Sequence, residues 1–300
     1  MRPERFRGVG ADGRAYFAPG DRVKRPKVSG ALPLRSVAAE GKMMPAMRRL
    51  TLVLCALPVL MAVNGAGVRS ASGEPLKFVT VAPGIAHATF KSRAEDAEPF
   101  SGYAFKVDLD AAEIRLVPAG GPSSRRTVAQ IAASHPAVVA MNASFFDNEG
   151  RAMGLAVDEG RSIGGGRRQS WGALVVEGRK ARITLGADLT DHLAPRLVVQ
   201  GLPRLVVGGK VSRLKPQFAE RSAVCADGSV VMLVVSTKAE ATAFARFLAD
   251  APDQGGLGCV DALNLDGGPS TQLVVKLPGL ELSLPGGWGV PNALVVTPGR

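Results

Sequence analysis

From about residue 100 onward, short apolar runs alternate with turns made of Gly, Asp and Pro, the pattern of a chain built from many short strands. Residues 103–110, 113–119, 137–141, 171–178, 181–186 and 195–200 each read as one strand. The longer run 222–235 reads as two strands, with Asp227-Gly228 between apolar arms as the hairpin signal. Two segments carry helical spacing instead. TVAQIAASHP (127–136) predicts a short helix that stops before Pro136. A second helix is predicted from Thr237, with Glu240 three residues on as a capping box and Phe244, Phe247, Leu248 and Ala251 sharing one face. Strands with inserted helices and one continuous apolar set predict an α+β fold: a single strand-rich domain over residues 73–300, with a mixed sheet and a few helices. The loop SIGGGRRQS (162–170), carrying Arg167 and Arg168, reads as the most flexible part.

Candidate chemistry concentrates at two strand ends. In NLDGGPST (264–271) an apolar run delivers Asp266, and Gly267-Gly268 then frees the backbone for positive φ or close approach to a ligand. Free N–H groups beside a carboxylate could form an anion-holding nest, or the segment could be an Asp-Gly turn leading into a strand over 271–277. MNASFFDNEG (141–150) has the same design: a strand ending in Asn142 and Ser144, two aromatics, then Asp147 in a turn closed by Gly150. Smaller motifs follow in order: GLAVDEGR (154–161), WGALVVEG (171–178), QGLPRLVVGGKV (200–211) and ERSAVCADGS (220–229).

Taken together, these motifs resemble the phosphodiester glycosidase family, from about Lys77 to the C-terminus and nearest its bacterial branch. Two departures bear on sugar specificity. Asn142-Ala143-Ser144-Phe145-Phe146 stands where many relatives have Asn-Gly-Gly-Phe-Phe, and Gly267-Gly268-Pro269 replaces three glycines. The resemblance implies hydrolysis of a sugar from a phosphodiester at its anomeric oxygen, with Asp147 and Asp266 as the catalytic carboxylates. One stabilises or attacks the anomeric centre while the other positions water. Substrate binding falls to Asn142, Arg221, Asn264, Gly267, Gly268, Ser270 and Thr271. Arg221 is the expected phosphate partner because its guanidinium offers a fork to two oxygens, with an ordinary strand-start arginine as the alternative. Asn142 and Asn264 would orient sugar hydroxyls or the carboxylates, or else cap their own turns. Gln200 is a weaker candidate.

Charge and targeting signals narrow the biology. The net charge of +11 is uneven: residues 1–69 hold 13 Lys and Arg against 4 Asp and Glu, while residues 70–300 hold 24 against 22. The basic excess thus belongs to the N-terminus, and without a basic stripe interleaved with aromatics after Arg69 no nucleic-acid partner is expected. Arg48-Arg49, an apolar run to Val63 and then small residues have the layout of a signal peptide over about 47–72, with an uncleaved anchor as the alternative. Residues 1–46 read as disordered or untranslated. The expected location is periplasmic or secreted, with membrane contact only through that N-terminal signal or anchor. Cys55 lies inside the apolar run, which disfavours lipidation. An exported chain can bridge Cys225 and Cys259, or keep both as buried thiols. His87, His135 and His192 are dispersed, against a histidine metal site or a Ser-His-Asp triad. No cofactor is expected to be required, although Asp147 and Asp266 with turn carbonyls could hold a calcium ion. The competing class is a non-catalytic glycan- or envelope-binding protein on the same fold.

Overall fold

A computed structural model describes residues 75–92, 97–190 and 195–299. The N-terminal extension, the signal-peptide segment with Cys55, and His192 lie outside the described residues. Three antiparallel sheets make up the fold. The largest has eight strands in the spatial order Val79–Ala82, Ile85–Lys91, Ser101–Asp108, Val230–Glu240, Phe218–Asp227, Ala262–Asn264, Arg204–Val207 and Lys210–Val211. A second runs Arg161–Gly164, Ala156–Asp158, Leu197–Gly201, Gly172–Glu177, Lys180–Leu185, and a third Leu280–Leu284, Leu273–Leu277, Val139–Asn142, Asn292–Pro298, Ala112–Pro118.

Period-2 alternation explains how one core serves three sheets. On Phe218–Asp227, Val224 and Ala226 face the central core with Leu116, Met141, Leu174, Leu197, Leu263 and Leu294, drawn from all three sheets. Ala223 and Cys225 point the opposite way, into a second cluster with Phe90, Phe100, Phe244, Phe247 and Leu248. Helix Ala241–Ala249 supplies the last three of those phenylalanine and leucine side chains and covers that outer face. Helix Val128–Ala132 covers the third sheet, packing Val128 and Ile131 on Ala140, Val274 and Val295. Burying Phe244 completely makes it a residue whose truncation to Ala costs about 3–5 kcal/mol.

The structure revises several expectations. The described residues are mostly β, with two short helices, so the α+β class holds only in part. Each strand pairing among them is antiparallel, so the sheet is not mixed. Thr237 and Glu240 do not form a capping box. The strand Val230–Glu240 runs through Thr237, whose hydroxyl accepts from the Ser101 N–H, and Glu240 is itself the N-cap, accepting from Thr242 and Ala243. The β-branched run up to Ser236 continues the hairpin ladder past the point where the capping motif suggested a helix. The first helix does carry a capping box, Thr127 with Gln130. The predicted hairpin at Asp227-Gly228 is present. The 162–170 segment is pinned: Arg167 donates to main-chain carbonyls of Gly186 and Leu189, and Gln200 brackets Arg168.

Candidate active site

Asp266 follows directly on the three-residue strand Ala262–Asn264 of the large sheet, with Leu265 between, while Asn142 closes the strand Val139–Asn142 of the third. The two ends meet. Asn142, fully buried, donates from Nδ2 to the Asp266 carbonyl at 2.6 Å, and the Asp266 N–H donates to the Ala143 carbonyl at 3.1 Å. The Asn142 Oδ1 accepts from the Ser222 hydroxyl at 2.7 Å and the Gln272 N–H at 3.0 Å. Asn142 is therefore a junction that ties the Asp266 backbone to both sheets. Its contact is with the Asp266 main chain, not with the carboxyl group.

The glycines after Asp266 have different duties. Gly267 has extended backbone, but a Cβ there would lie 2.7 Å from the Glu220 carbonyl oxygen, so a side chain would push the loop off the large sheet. Gly268 has φ +58°, the left-handed region, at the start of the turn Gly268–Ser270. The Gly267 N–H donates inward to the Asp266 Oδ1 at 3.0 Å. Ser222 also reaches the Thr271 hydroxyl at 3.4 Å. Asn264 donates to the Leu202 and Leu265 carbonyls, both at 2.8 Å, and its buried Oδ1 has no hydrogen-bond partner.

Burial pushes the Asp266 carboxyl up to about 7, against the opposing pull of the Ser270 hydroxyl and the Gly267 N–H. The residue as a whole is nevertheless only partly buried. A carboxyl hemmed in by protein, in a residue that still reaches the surface, has a raised affinity for protons. The Ser270 hydroxyl, buried, meets no partner at hydrogen-bonding geometry, so its pull on Asp266 is one of proximity.

Asp147 lies in a different environment. Its Oδ1 accepts from the Glu149 and Arg151 N–H groups, and its Oδ2 pairs with the Arg151 Nε at 2.8 Å. Burial raises its pKa, but the hydrogen bonds and charge of Arg151 outweigh that effect and hold the carboxyl below its ordinary value. The influences on Asp147 come from Arg151 and Glu149, and those on Asp266 from burial, Ser270 and Gly267. Among the described residues no hydrogen bond links the two carboxyls, so each is set by its own surroundings. Among those residues, no group of three or more His, Cys, Asp or Glu side chains gathers where it could hold a metal ion.

Arg221 is a further correction. It shares a face with Ala223, opposite Ser222, and its guanidinium donates to the Gln217 and Ala239 carbonyls. Burial lowers its pKa. The structure thus turns the expected phosphate fork away from the Asp266 cluster and onto the Ala239 carbonyl of the neighbouring strand and the Gln217 carbonyl just before its own strand. Gln200 holds main chain as well, accepting from the Leu155 and Arg168 N–H groups.

Sequence reasoning passed over other participants. Gln272 accepts from the Val128 N–H and donates to the Trp288 carbonyl at 2.7 Å, joining the motif to the loop before the last strand. Trp288, 57% exposed, stands in that loop edge-to-face with Phe146, 6.4 Å between ring centroids. A tryptophan set among glycines and prolines in PGGWGVP was the available sign.

A family model for phosphodiester glycosidase matches residues 135–297, over half of the 300. The chain belongs to the phosphodiester glycosidase family. The matched span contains the Asn142, Asp147 and Asp266 segments. Among solved structures, the fold is similar to the catalytic domain of zebrafish N-acetylglucosamine-1-phosphodiester alpha-N-acetylglucosaminidase auto-inhibited by its pro-peptide. That pair is 18% identical with a TM-score of 0.57, covering 75% of this chain and 86% of that one. A hypothetical protein from Synechocystis is similar at 18% identity and a TM-score of 0.53, over 76% of this chain and 64% of its own. No curated protein matches. Both structural likenesses speak for the fold.

Proposed function

We propose that this member of the phosphodiester glycosidase family is an exported hydrolase that releases a sugar from a sugar-1-phosphodiester or a related envelope glycan, with Asp266 as the reacting carboxyl. The observation that carries the reading is the carboxyl itself. It is raised to about 7 by burial, belongs to a partly exposed residue, and is held between two sheets at the family's own motif.

The chemistry follows from what each group in the substrate needs. A phosphate monoester is a weak base and leaves without much help from an acid, whereas attacking water must lose a proton. A carboxylate whose conjugate acid has a pKa near 7 is a stronger base than an ordinary one and still half-ionised at neutral pH. In the proposed step, water attacks the anomeric carbon as the carbon–oxygen bond to phosphate breaks. The water proton passes to Asp266, and the phosphate monoester leaves with the bonding electron pair. Asn142 and the Gly267 N–H set the position of Asp266. Gly268 borders the space for sugar and phosphate, while buried Ser270, Thr271 and Asn264 support the turn from within. Asp147 keeps the Phe146 loop in place through Arg151. No metal enters this proposal.

Export is supported by the signal-like segment and by the Cys225–Cys259 disulfide, whose Cα atoms are 5.8 Å apart, since such bridges persist in oxidising compartments. The test is hydrolysis of nucleotide-sugars and methyl phospho-sugars by protein starting near Ser70, with and without chelator, reading released reducing sugar. Release that is insensitive to chelator is the expected result. Absence of release with sugar binding retained would refute the hydrolase and leave a glycan-binding protein.

A further inference from the structure

With Arg221 turned away, the phosphate needs another cation, and three loops beside the Asp266 turn bring one together with two aromatic rings. Arg125 holds its guanidinium carbon 5.4 Å from the centroid of the Phe146 ring, and the exposed indole of Trp288 is a second partner of that ring. The arrangement is built into the backbone. Arg126 and Val290 exchange both main-chain hydrogen bonds, fixing Arg125 beside the Trp288 loop. A Cβ on Gly289 would lie 3.2 Å from the Arg125 Cβ, and one on Gly150 would lie 3.1 Å from its Cδ. The Gly287 and Trp288 N–H groups both donate to the Pro269 carbonyl, three residues after Asp266. Arg125 is exposed and forms no ion pair among the described residues, in contrast to Arg151 close by, which is neutralised by Asp147 and Glu149.

We propose that Arg125, Phe146 and Trp288 form the subsite for the phosphodiester group and the ring beyond it. A cation held over an aromatic face keeps its N–H donors for an anion, and a large exposed indole offers a flat apolar surface to a nucleoside or sugar ring. The subsite deepens the hydrolase reading, rests on it, and assigns specificity to residues outside the catalytic turn. Arg125 recognises the charge common to all such substrates, and Trp288 recognises only those with a ring on the far side of phosphorus.

The test compares UDP-glucose with methyl glucosyl phosphate on Arg125→Gln, Arg125→Lys, Trp288→Leu and, as a surface-charge control, Lys106→Gln. Arg125→Gln raises KM for both compounds about tenfold, the effect of losing one charge-assisted hydrogen bond, with kcat little changed. Arg125→Lys recovers part of that loss. Trp288→Leu raises KM about tenfold for UDP-glucose alone, as loss of one stacked ring would. Unchanged KM values, or changes matched by Lys106→Gln, overturn the subsite while leaving the hydrolase in place. If the wild type hydrolyses neither compound, calorimetry of the same ligands decides. Binding weakened by Arg125→Gln sustains the subsite although the hydrolase has failed, and binding that is absent or unaffected overturns it.

Discussion

Asp266→Asn separates charge from shape. The amide keeps an oxygen to accept the Gly267 N–H and fills nearly the same volume, while the ionisable group disappears. A rise from 3.8 to about 7 corresponds to about 4 kcal/mol of unfavourable ionisation in the folded chain. Because the residue is partly exposed, solvent screening reduces that to about 2 kcal/mol. The sign follows from which state keeps its proton. Below pH 4 the carboxyl is protonated in folded and unfolded chains alike. Between pH 4 and 7 the unfolded chain gives up the proton while the folded chain retains it, so wild-type stability falls as pH rises. Above about 7 the loss is complete. Urea denaturation with the disulfide intact, at pH 4, 6 and 8, should therefore find the variant equal to wild type at pH 4 and about 2 kcal/mol more stable at pH 8. Its kcat should fall by two to four orders of magnitude, while wild-type kcat/KM rises with pH through an inflection near 7. A stability gap of the same size at every pH, or one of opposite sign, would refute the raised ionisation, and a rate that declines through pH 7 would refute the role as base.

Other perturbations test the surrounding framework. Asn142→Ala leaves the buried Ser222 hydroxyl and the Gln272 N–H without their acceptor and should cost about 3 kcal/mol in urea denaturation, with activity lost in proportion to misplacement of Asp266. Arg221→Met should lower Tm with KM for phosphodiesters unchanged; a raised KM at unaltered Tm would restore Arg221 as the phosphate partner. Cys259→Ser opens a bridge spanning 34 residues and should cost about 3 kcal/mol, matched in the wild type by adding reductant before the melt. Asp147→Asn should destabilise the chain at neutral pH, an effect that starts to fade below about 4, where the unfolded carboxyl takes up its proton, and is gone only once the pH has fallen through the lower value of the folded carboxyl.

The strand content was legible because apolar–polar alternation is a local signal, and the hairpin at Asp227-Gly228 follows from its turn residues alone. Helix Ala241–Ala249 was legible in type but not in start, since the ladder between Phe218–Asp227 and Val230–Glu240 continues past Thr237 where local capping chemistry favoured a helix. Sheet direction depends on which non-neighbouring strands pair, and no local pattern encodes it. In the site, Asp266 and its glycines were apparent from composition at a strand end. The role of Arg221 was not, because one step of register decides which face of the strand a side chain takes, and Ser222 holds the face toward Asn142. Trp288 escaped notice because its importance lies in meeting Phe146, which is distant in sequence.

The Asp266 peptide unit gives its N–H to Ala143 and takes a donor from Asn142, so it works as a rivet through two sheets with a single carboxyl at its head. Any breathing motion that separates those sheets must displace the reacting group by the same amount. Heat inactivation and loss of intersheet cohesion are thus one event: activity should vanish along the same curve as exchange protection of the Asp266 amide, with no loosened form that still turns over substrate.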